Sequence, residues 1–279
     1  MLFSHFQIDD LIRRSLEEDI GTGDVTTSST VSPDRMIGGR FIAKEPGIIC
    51  GFPIVRRVFQ LLDSEIKLSC NVQEGGSVMQ GDIVAEISGP ARQILTGERV
   101  ALNFLQHLSG IATRTQEAVA RIAGTKAVIA DTRKTTPGLR VLEKYAVRMG
   151  GGSNHRSNLS DGILIKDNHI RAAGGIRNAV ESARARAAHT LKIEVETETM
   201  LQVEEALSCK ADIIMLDNMT IEEMANAVAF IHGRALVEAS GNMGEKDLKE
   251  VASTGVNIIS IGAITHSVRA LDISLRFED

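Results

Sequence analysis

The residues best suited to bind or transform a ligand are concentrated between positions 131 and 171. This stretch has eight Lys or Arg and four acids, a local charge of +4, whereas the rest of the chain sums to −9. A basic island in an acidic protein attracts anionic ligands. For three of its members, Arg140, Lys144 and Arg148, we favour the simpler interpretation that they are surface charges on a helix.

Cationic side chains follow the predicted strands of this region at the points where the strands end. Arg133 and Lys134 follow one apolar run, and Lys166 follows the next. In α/β barrels the carboxyl ends of the strands hold the active site. His155 and Arg156 come after a triple glycine, in a loop that we expect at the same level. Such a group of cations is suited to a ligand with several carboxylates or phosphates.

Two carboxylates, Glu196 and Asp217, close the next two predicted strands. Beside so many cations they either neutralise the mouth or hold Mg²⁺ and sugar hydroxyls. Glu194 lies on the same strand as Glu196, and we expect it deeper and away from the mouth. His169 has no metal-ligand partner four residues further on, so no zinc site is predicted there.

The last two predicted strands end in turns that are poor in side chains, Ser240-Gly241-Asn242 and Gly262-Ala263. Such turns expose backbone N–H groups, and a predicted helix follows each of them, as in phosphate-binding nests. One Ser-Gly turn is weak evidence. Two neighbouring turns opposite a basic cluster indicate a phosphate site more strongly.

Short apolar runs must position all of these residues, and there are six, at 127–131, 163–166, 192–196, 213–217, 235–240 and 257–262. The last four end 21, 23 and 22 residues apart, which is the length of one strand, one helix and two loops. Helical patterns fill the gaps, at 138–149, 174–189, 199–209, 220–231 and 245–253. Repeated βα units predict a parallel sheet with helices outside. We expect this sheet to curl into an α/β barrel, with a doubly wound open sheet as the alternative.

The helix predicted at 138–149 has recognisable end signals. Thr136 can cap its first turn, Pro137 suits the first helical position, and Gly150 can end it.

The N-terminal part of the chain differs from the pattern of repeated strands and helices. Residues 71–90 alternate apolar and polar side chains between glycines, which predicts antiparallel β structure, and 92–121 is helical. We therefore expect a mixed α+β domain first and the barrel after it.

Composition narrows the class of protein. The 279 residues carry a net charge of −5, with no Trp and a single Tyr, which argues against nucleic-acid binding by bulk charge and against base stacking. No apolar run approaches the length of about 18 residues needed to span a membrane. Three dispersed cysteines and an N-terminus without a signal-peptide pattern indicate a soluble protein of the cytoplasm.

The stretch DTRKTTPGLRVLEKYAVRMGGGSNHRSNLSDGILIKDNHI (131–170) closely resembles the quinolinate phosphoribosyltransferase family, also called the nicotinate-nucleotide pyrophosphorylases (carboxylating). So do the segments EEDIGTGDVTT (17–27), TGERVALNFLQHLSGIAT (96–113), IIMLDNM (213–219), VEASGN (237–242) and TGVNIISIGAITHSVRALDISL (254–275). The resemblance covers nearly the whole chain, and a block of forty residues is highly specific.

The resemblance implies a reaction in which quinolinate and 5-phosphoribosyl-1-pyrophosphate give nicotinate mononucleotide, pyrophosphate and CO₂ with Mg²⁺, in NAD biosynthesis. It implies an N-terminal α/β sandwich domain, residues 1–110, on which the tail 271–279 packs back. An open α/β barrel, residues 111–270, follows. Such enzymes are homodimers or hexamers built from dimers, in which one subunit helps to close its partner's barrel mouth.

The resemblance also implies roles for individual residues. The quinolinate site comprises Thr132, Arg133, His155, Arg156 and Lys166, together with Arg99 from the neighbouring subunit. The phosphoribosyl donor is served by Lys134, Glu196 and Asp217, the two acids acting on ribose hydroxyls and on Mg²⁺ directly or indirectly. The donor's 5′-phosphate is cradled by Ser240, Gly241, Asn242, Ile261, Gly262 and Ala263. We expect the catalytic groups to be Lys134, Lys166, Glu196 and Asp217.

Two other functions stay open at this point. One is a related phosphoribosyl-transferring or pyrophosphorylase-type enzyme that acts on another anionic ring acid. The other is a barrel without catalytic activity that binds phosphorylated ligands. The presence of both Glu196 and Asp217 argues against a simple binding protein, since such a protein has little use for two acids in a cationic mouth.

Overall fold

A computed structural model describes residues 5–277. Residues 1–4 and 278–279, the ends of the predicted N-terminal domain and of its tail, lie outside the described residues. The chain divides into two compact units. The first comprises the chain up to Gln116, Pro137–Gly151 and the chain from Ser267, and the second comprises Glu117–Thr136 and Gly152–His266. The domain boundary at residue 110 stays a prediction.

Helices and strands alternate along most of the chain. The helices are α1 (His5–Ile20), α2 (Val25–Thr30), α3 (Phe52–Leu62), α4 (Ala91–Arg121), α5 (Arg140–Met149), α6 (Asp167–Ala173), α7 (Ile176–Arg186), α8 (Met200–Ser208), α9 (Ile221–Ile231), α10 (Leu248–Ser253) and α11 (Ala263–His266). The strands are β1 (Met36–Ala43), β2 (Gly47–Ile48), β3 (Lys67–Cys70), β4 (Ser77–Val78), β5 (Ile83–Pro90), β6 (Val128–Ala130), β7 (Ile163–Ile165), β8 (Ile193–Thr197), β9 (Ile213–Asp217), β10 (Leu236–Ser240), β11 (Ile258–Ser260) and β12 (Ile273–Phe277). No helix among these described residues has the length and apolar character needed to cross a membrane.

The first unit contains an antiparallel sheet with the strand order β12-β1-β5-β3. The predicted β structure in 71–90 is confirmed in β4 and β5, and β5 pairs antiparallel with both β1 and β3. The last described strand, β12, pairs with β1 from Gly39 opposite Phe277 to Ala43 opposite Ile273. The end of the chain therefore completes a sheet that begins near residue 36.

Helix α5 corrects three predictions. It begins at Arg140 with Leu139 at its N-cap, so the predicted cap by Thr136 and the predicted first position at Pro137 are wrong, whereas Gly150 does end the helix. Lys144 is not a surface charge, because only 5% of it is exposed. The physical reason is that this helix is covered around its circumference, with every residue from Leu142 to Val147 buried. The sequence of α5 does have a polar face, which would be assigned to solvent by its pattern, but the fold covers Glu143 and Lys144 on that face.

Unit two contains a parallel sheet with the strand order β6-β11-β10-β9-β8-β7. All six predicted strands are present, each within two residues of its predicted bounds. From β7 to β11 each strand lies beside the one before it in the chain, and β6, the first, lies beside β11, the last. This is the cyclic order of a barrel opened between β6 and β7, whereas a doubly wound sheet reverses its order at a switch point. The predicted fold class, an α+β domain followed by an open α/β barrel, is confirmed.

Strand register places the polar residues of the sheet on one face. Glu196 is level with Met215, Met215 is level with Glu238, and Asp217 is level with Ser240. Because side chains at alternate positions of a strand share a face, Glu194 lies on the same face as Glu196, one pleat nearer the amino end. By register, the carboxylates of this face therefore lie at three successive levels, with Asp217 nearest the carboxyl edge, Glu196 and Glu238 one pleat below it, and Glu194 one pleat below those.

Candidate active site

Lys166 and Glu196 form an ion pair at the carboxyl edge of the parallel sheet. Lys166 follows β7 directly, and its Nζ lies 2.5 Å from Glu196 Oε2 on β8. The Glu196 side chain is only 13% exposed, whereas the Lys166 side chain is 45% exposed. His169 fixes the backbone here, since its Nδ1 accepts the amide hydrogen of Lys166. The two residues that sequence placed at neighbouring strand ends are thus brought into contact.

The ends of β9 and β10 form a second part of the site. Asp217 accepts a hydrogen bond from the side-chain amide of Asn218 at 2.9 Å. The Asn218 backbone N–H donates to the carbonyl oxygen of Ser240. Gly241 then turns with a φ of +88°, and a Cβ there would overlap the Asn218 side chain. This turn is tight, but the predicted helix after it begins only at Leu248, with Asp247 as its cap.

The ends of β6 and β11 lie side by side. The Thr265 hydroxyl donates to the carbonyl oxygen of Lys134 at 2.8 Å, and the Lys134 side chain passes 3.0 Å from where a Cβ of Gly262 would lie. Thr132 Oγ1 accepts the Lys134 amide hydrogen. The Ile261 N–H already donates to the carbonyl oxygen of Ala130. The amide of Ile261 is therefore not available to a ligand. In the second predicted turn, the amides of Gly262 and Ala263 are the ones that could bind a phosphate, at the point where α11 begins.

Arg133 and Arg156 form the cationic part of the site. Burial, and then the repulsive charge of Arg133, lower the pKa of Arg156, against a smaller opposing effect of Glu194. Arg156 Nη1 donates to the Gly162 carbonyl oxygen at 2.9 Å, but its buried Nε has no hydrogen-bond partner in the protein. An arginine stays protonated in proteins. A bound anion would relieve this repulsion and satisfy the unpaired donor.

His155 is held from two sides. Its backbone N–H donates to Asp131 Oδ1 at 2.8 Å, and its ring Nε2 lies 3.1 Å from Glu194 Oε2 and 3.6 Å from Glu238 Oε1. Asn154 also binds Asp131, through its side-chain amide. Both ring nitrogens of His155 contact the chain itself, since Nδ1 accepts the amide hydrogen of Arg156.

Sequence reasoning missed three acidic residues of this region, Asp131, Glu194 and Glu238. Glu194 was expected to lie deep and does, with 4% exposure, but its contact with His155 was not foreseen. Glu238 is 1% exposed and Asp131 is fully buried. One signal was available, because Glu238 precedes Ser240 by two positions and so must share its face of the sheet.

Glu196 and Asp217 are suited to a magnesium ion that is shared with a substrate. Mg²⁺ keeps several waters and is usually held by one or two carboxylates together with substrate phosphates. Among the described residues these two acids do not belong to any cluster of three potential metal ligands. The donor set therefore fits a metal that arrives with a phosphorylated ligand better than a resident metal held by protein alone.

Arg99 lies outside this group of residues. It is an exposed residue of α4 and belongs to the first unit. Its predicted contribution to a neighbouring subunit's site stays a prediction, as do the ligand roles of the other named residues.

The barrel order of the sheet, with cations and two acids at its carboxyl edge, defines an α/β-barrel protein with a group of charged side chains at the carboxyl ends of its strands. Comparison with known families makes the assignment specific. The C-terminal domain of quinolinate phosphoribosyl transferase matches residues 111–276, and the N-terminal domain of the same family matches residues 24–109. The chain belongs to the quinolinate phosphoribosyl transferase family.

Relatives match over nearly their full length. A probable nicotinate-nucleotide pyrophosphorylase (carboxylating) of Bacillus subtilis strain 168 is 46% identical over 272 residues, which cover 98% of this chain and 94% of that protein. A decarboxylating quinolinate phosphoribosyltransferase of Nicotiana tabacum is 40% identical and covers 98% of this chain and 83% of its own. The solved structure of the nicotinate-nucleotide pyrophosphorylase from Francisella tularensis superposes with a TM-score of 0.95 at 40% identity, covering 99% of this chain and 98% of that one.

Proposed function

We propose that this protein is a quinolinate phosphoribosyltransferase that converts quinolinate and 5-phosphoribosyl-1-pyrophosphate to nicotinate mononucleotide, pyrophosphate and CO₂. The observation that carries the proposal is the buried Nε of Arg156, which has no hydrogen-bond partner in the protein, in a guanidinium whose pKa is lowered by burial and then by the charge of Arg133. Quinolinate has two adjacent carboxylates, and arginine forks are complementary to such a pair. Its family membership supports the same acceptor.

The two acids at the mouth suit the ribosyl transfer. Breaking the bond between the ribose C1 and pyrophosphate gives the sugar carbon oxocarbenium character, which fixed negative charge stabilises. Glu196 and Asp217 supply that charge from the ends of adjacent strands. Lys166 holds Glu196 in place until the ligands arrive. Mg²⁺, when bound with the donor, would neutralise pyrophosphate charge, and Glu196 and Asp217 are the residues that would hold it.

We expect transfer to precede decarboxylation. Once the ring nitrogen attacks the ribose carbon, it becomes cationic and can accept electron density. The bond between ring carbon 2 and its carboxylate then breaks, its electron pair stays on the ring carbon, CO₂ leaves, and a proton takes its place. Release of CO₂ before any pyrophosphate in a rapid-quench experiment would show that this order is wrong.

The turn at Gly241 tests the proposed phosphate cradle. Gly241→Ala must leave its φ of +88° or push against Asn218, at a cost of about 1–3 kcal/mol. We expect KM for the donor to rise about tenfold or more while KM for quinolinate changes little. Gly233→Ala is the matched control, because Gly233 also has a positive φ, +73°, but nothing lies near its missing Cβ. An equal effect of both substitutions on donor KM would contradict the proposal that the turn at Gly241 binds the 5′-phosphate of the donor.

We also propose that the enzyme is a cytoplasmic homodimer, or a hexamer of dimers, in which Arg99 completes the partner's site. Arg99→Ala and Lys134→Ala should each be inactive alone. In a hybrid dimer one site would have both residues intact. Equal mixing after subunit exchange should therefore restore about one quarter of wild-type activity, since half of the dimers are hybrids with one working site. Verified exchange without any recovered activity would contradict the shared site.

The experiment that tests the function is an assay of purified protein with quinolinate, the phosphoribosyl donor and Mg²⁺, in which nicotinate mononucleotide, pyrophosphate and CO₂ are followed together. Equal amounts of all three are expected. Pyrophosphate release with another ring acid, but not with quinolinate, would support the proposed donor site and show that the acceptor is a different acid. No turnover with any acceptor would indicate a protein that binds phosphorylated ligands without catalysing a reaction.

A further inference from the structure

His155, Glu194 and Glu238 form a buried cluster, and neither the ribosyl transfer nor the acceptor site accounts for its two acids. The two carboxyl groups come from β8 and β10, and His155 reaches them from residues 153–162, which we call the closing segment. A cavity of about 480 Å³ extends from the cluster toward the amino ends of the strands. One oxygen of each carboxyl group, Glu194 Oε1 and Glu238 Oε1, is buried without a hydrogen-bond partner.

The tautomer of His155 follows from its contacts. The Arg156 amide can only donate, so the His155 Nδ1 that it contacts at 2.8 Å must be an acceptor. A neutral imidazole with an acceptor Nδ1 carries its hydrogen on Nε2. That hydrogen points to Glu194 Oε2 at 3.1 Å. The three side chains have the spacing of metal ligands, but Nε2 then has no lone pair for a metal ion.

The two carboxyl groups lie close together, because the ligand atoms of His155, Glu194 and Glu238 all fall within 4.8 Å of one another. In a buried site, a like charge at this distance disfavours the charged form of a carboxyl group. Burial, and then the charge of Glu194, raise the pKa of Glu238 to about 7, against a smaller opposing effect of His155. The groups facing Glu238 are thus Glu194 from β8, His155 from the closing segment and Ser260 from β11.

The closing segment links this cluster to Arg156. The segment begins against edge strand β6, where the Ser153 N–H donates to Ile129 and Ser153 accepts the Asp131 amide hydrogen. It ends at Gly162, the residue before edge strand β7, and Arg156 donates to the Gly162 carbonyl oxygen. Residues 153–162 therefore run along the opening of the barrel. His155 is the side chain of the segment that crosses to β8 and β10.

We propose that Glu194 and Glu238 are positioning residues, which hold the His155 ring across the barrel and thereby aim the Arg156 guanidinium at the carboxylates of the acceptor. The two acids touch no substrate in this scheme and act through His155. The expected kinetic effects of this inference rest on the proposed function. Its expected structural effects rest only on the contacts within the cluster.

Kinetics of Glu238 variants test the inference. Glu238→Ala removes one of the two acids that face His155 Nε2 and should raise KM for quinolinate about tenfold, as loss of a supporting residue does elsewhere, with kcat and donor KM within about twofold. Glu238→Gln keeps an N–H donor toward Glu194 and should restore a near-normal KM. Glu204→Gln, an exposed acid of α8, is the matched control. An unchanged KM in the Ala variant, or equal changes in kcat and both KM values, would overturn the positioning role.

The pH profile separates positioning from simple packing. Glu238 is protonated below its pKa, so in the wild-type enzyme KM for quinolinate should rise as pH passes through about 7. At higher pH, two buried carboxylates would face a single His155 hydrogen. The Gln variant cannot ionise and should show a flat profile. The same rise in Glu238→Gln would contradict the inference, and this comparison decides alone where the Ala variant does not fold.

Two measurements need no turnover and so distinguish failure of this inference from failure of the proposed function. The ¹⁵N spectrum of His155, assigned by comparison with His155→Gln, should show the hydrogen on Nε2. The raised pKa of Glu238 destabilises the folded wild-type protein as pH rises, whereas Glu238→Gln has no such group. The thermal midpoint of Glu238→Gln should therefore gain on that of the wild type between pH 5 and pH 8. A hydrogen on Nδ1, or a pH-independent difference, would overturn the inference whether or not quinolinate is the substrate.

Discussion

Arg156→Ala should raise KM for quinolinate by roughly 30-fold to several-thousand-fold, the equivalent of about 2–5 kcal/mol for truncating one partner of a desolvated charge pair. The guanidinium is partly buried beside Arg133, and its Nε hydrogen has no partner in the protein. Bound quinolinate would provide both the missing charge and the missing acceptor. Steady-state kinetics with each substrate varied in turn would measure the effect.

Controls for this substitution separate charge from geometry. Arg156→Lys keeps the charge but loses the fork that suits a carboxylate, so its KM should lie between those of the wild type and the Ala variant. Arg186→Ala removes an exposed arginine from the last turn of α7 and should change KM little. A quinolinate KM for Arg156→Ala that equals that of Arg186→Ala would remove Arg156 from the acceptor site.

Glu196→Gln should lower kcat by roughly 100- to 1,000-fold, the usual effect of removing one preorganised group that stabilises transition-state charge. The substitution keeps the size of the side chain and a hydrogen-bond acceptor for Lys166, but removes the negative charge that we propose stabilises the reacting sugar. Because we propose other residues for the binding of quinolinate, its KM should change far less than kcat. Single-turnover measurement of pyrophosphate release would show whether the transfer step itself is slowed.

Glu198→Gln is the matched control for Glu196→Gln. Glu198 lies two residues further along the chain, beyond the end of β8, and is exposed. We expect wild-type kcat from this variant. Retention of full kcat by Glu196→Gln, or an equal loss in Glu198→Gln, would show that the carboxylate of Glu196 does not act on the transition state.

Much of the carboxyl edge of the sheet could be predicted because strands and short loops are local structures. Apolar runs of four to six residues marked all six strands, and the residue types at their ends placed Lys166, Glu196, Asp217 and Ser240 at one edge. Side chains at alternate positions of a strand lie on the same face of the sheet, which shows which of these four residues share a face. Resemblance between motifs then named the family, which the comparisons confirm.

Contacts between residues that are distant in the chain could not be predicted in the same way. Nothing local marks Lys144 as buried, since its exposure depends on what surrounds α5. The same holds for Glu238, whose neighbours Glu194 and His155 lie 44 and 83 positions away in the sequence. A charge so placed would be read from sequence as a surface residue.

Residue types, their periodicity and their motifs were enough to establish the barrel, its mouth and the family, because each depends on short stretches of chain. Folding alone brings His155 between two buried acids, pairs Lys166 with Glu196 and buries the Nε of Arg156 without a hydrogen-bond partner. Burial and proximity are properties of the packed chain, so no local pattern of residues encodes them.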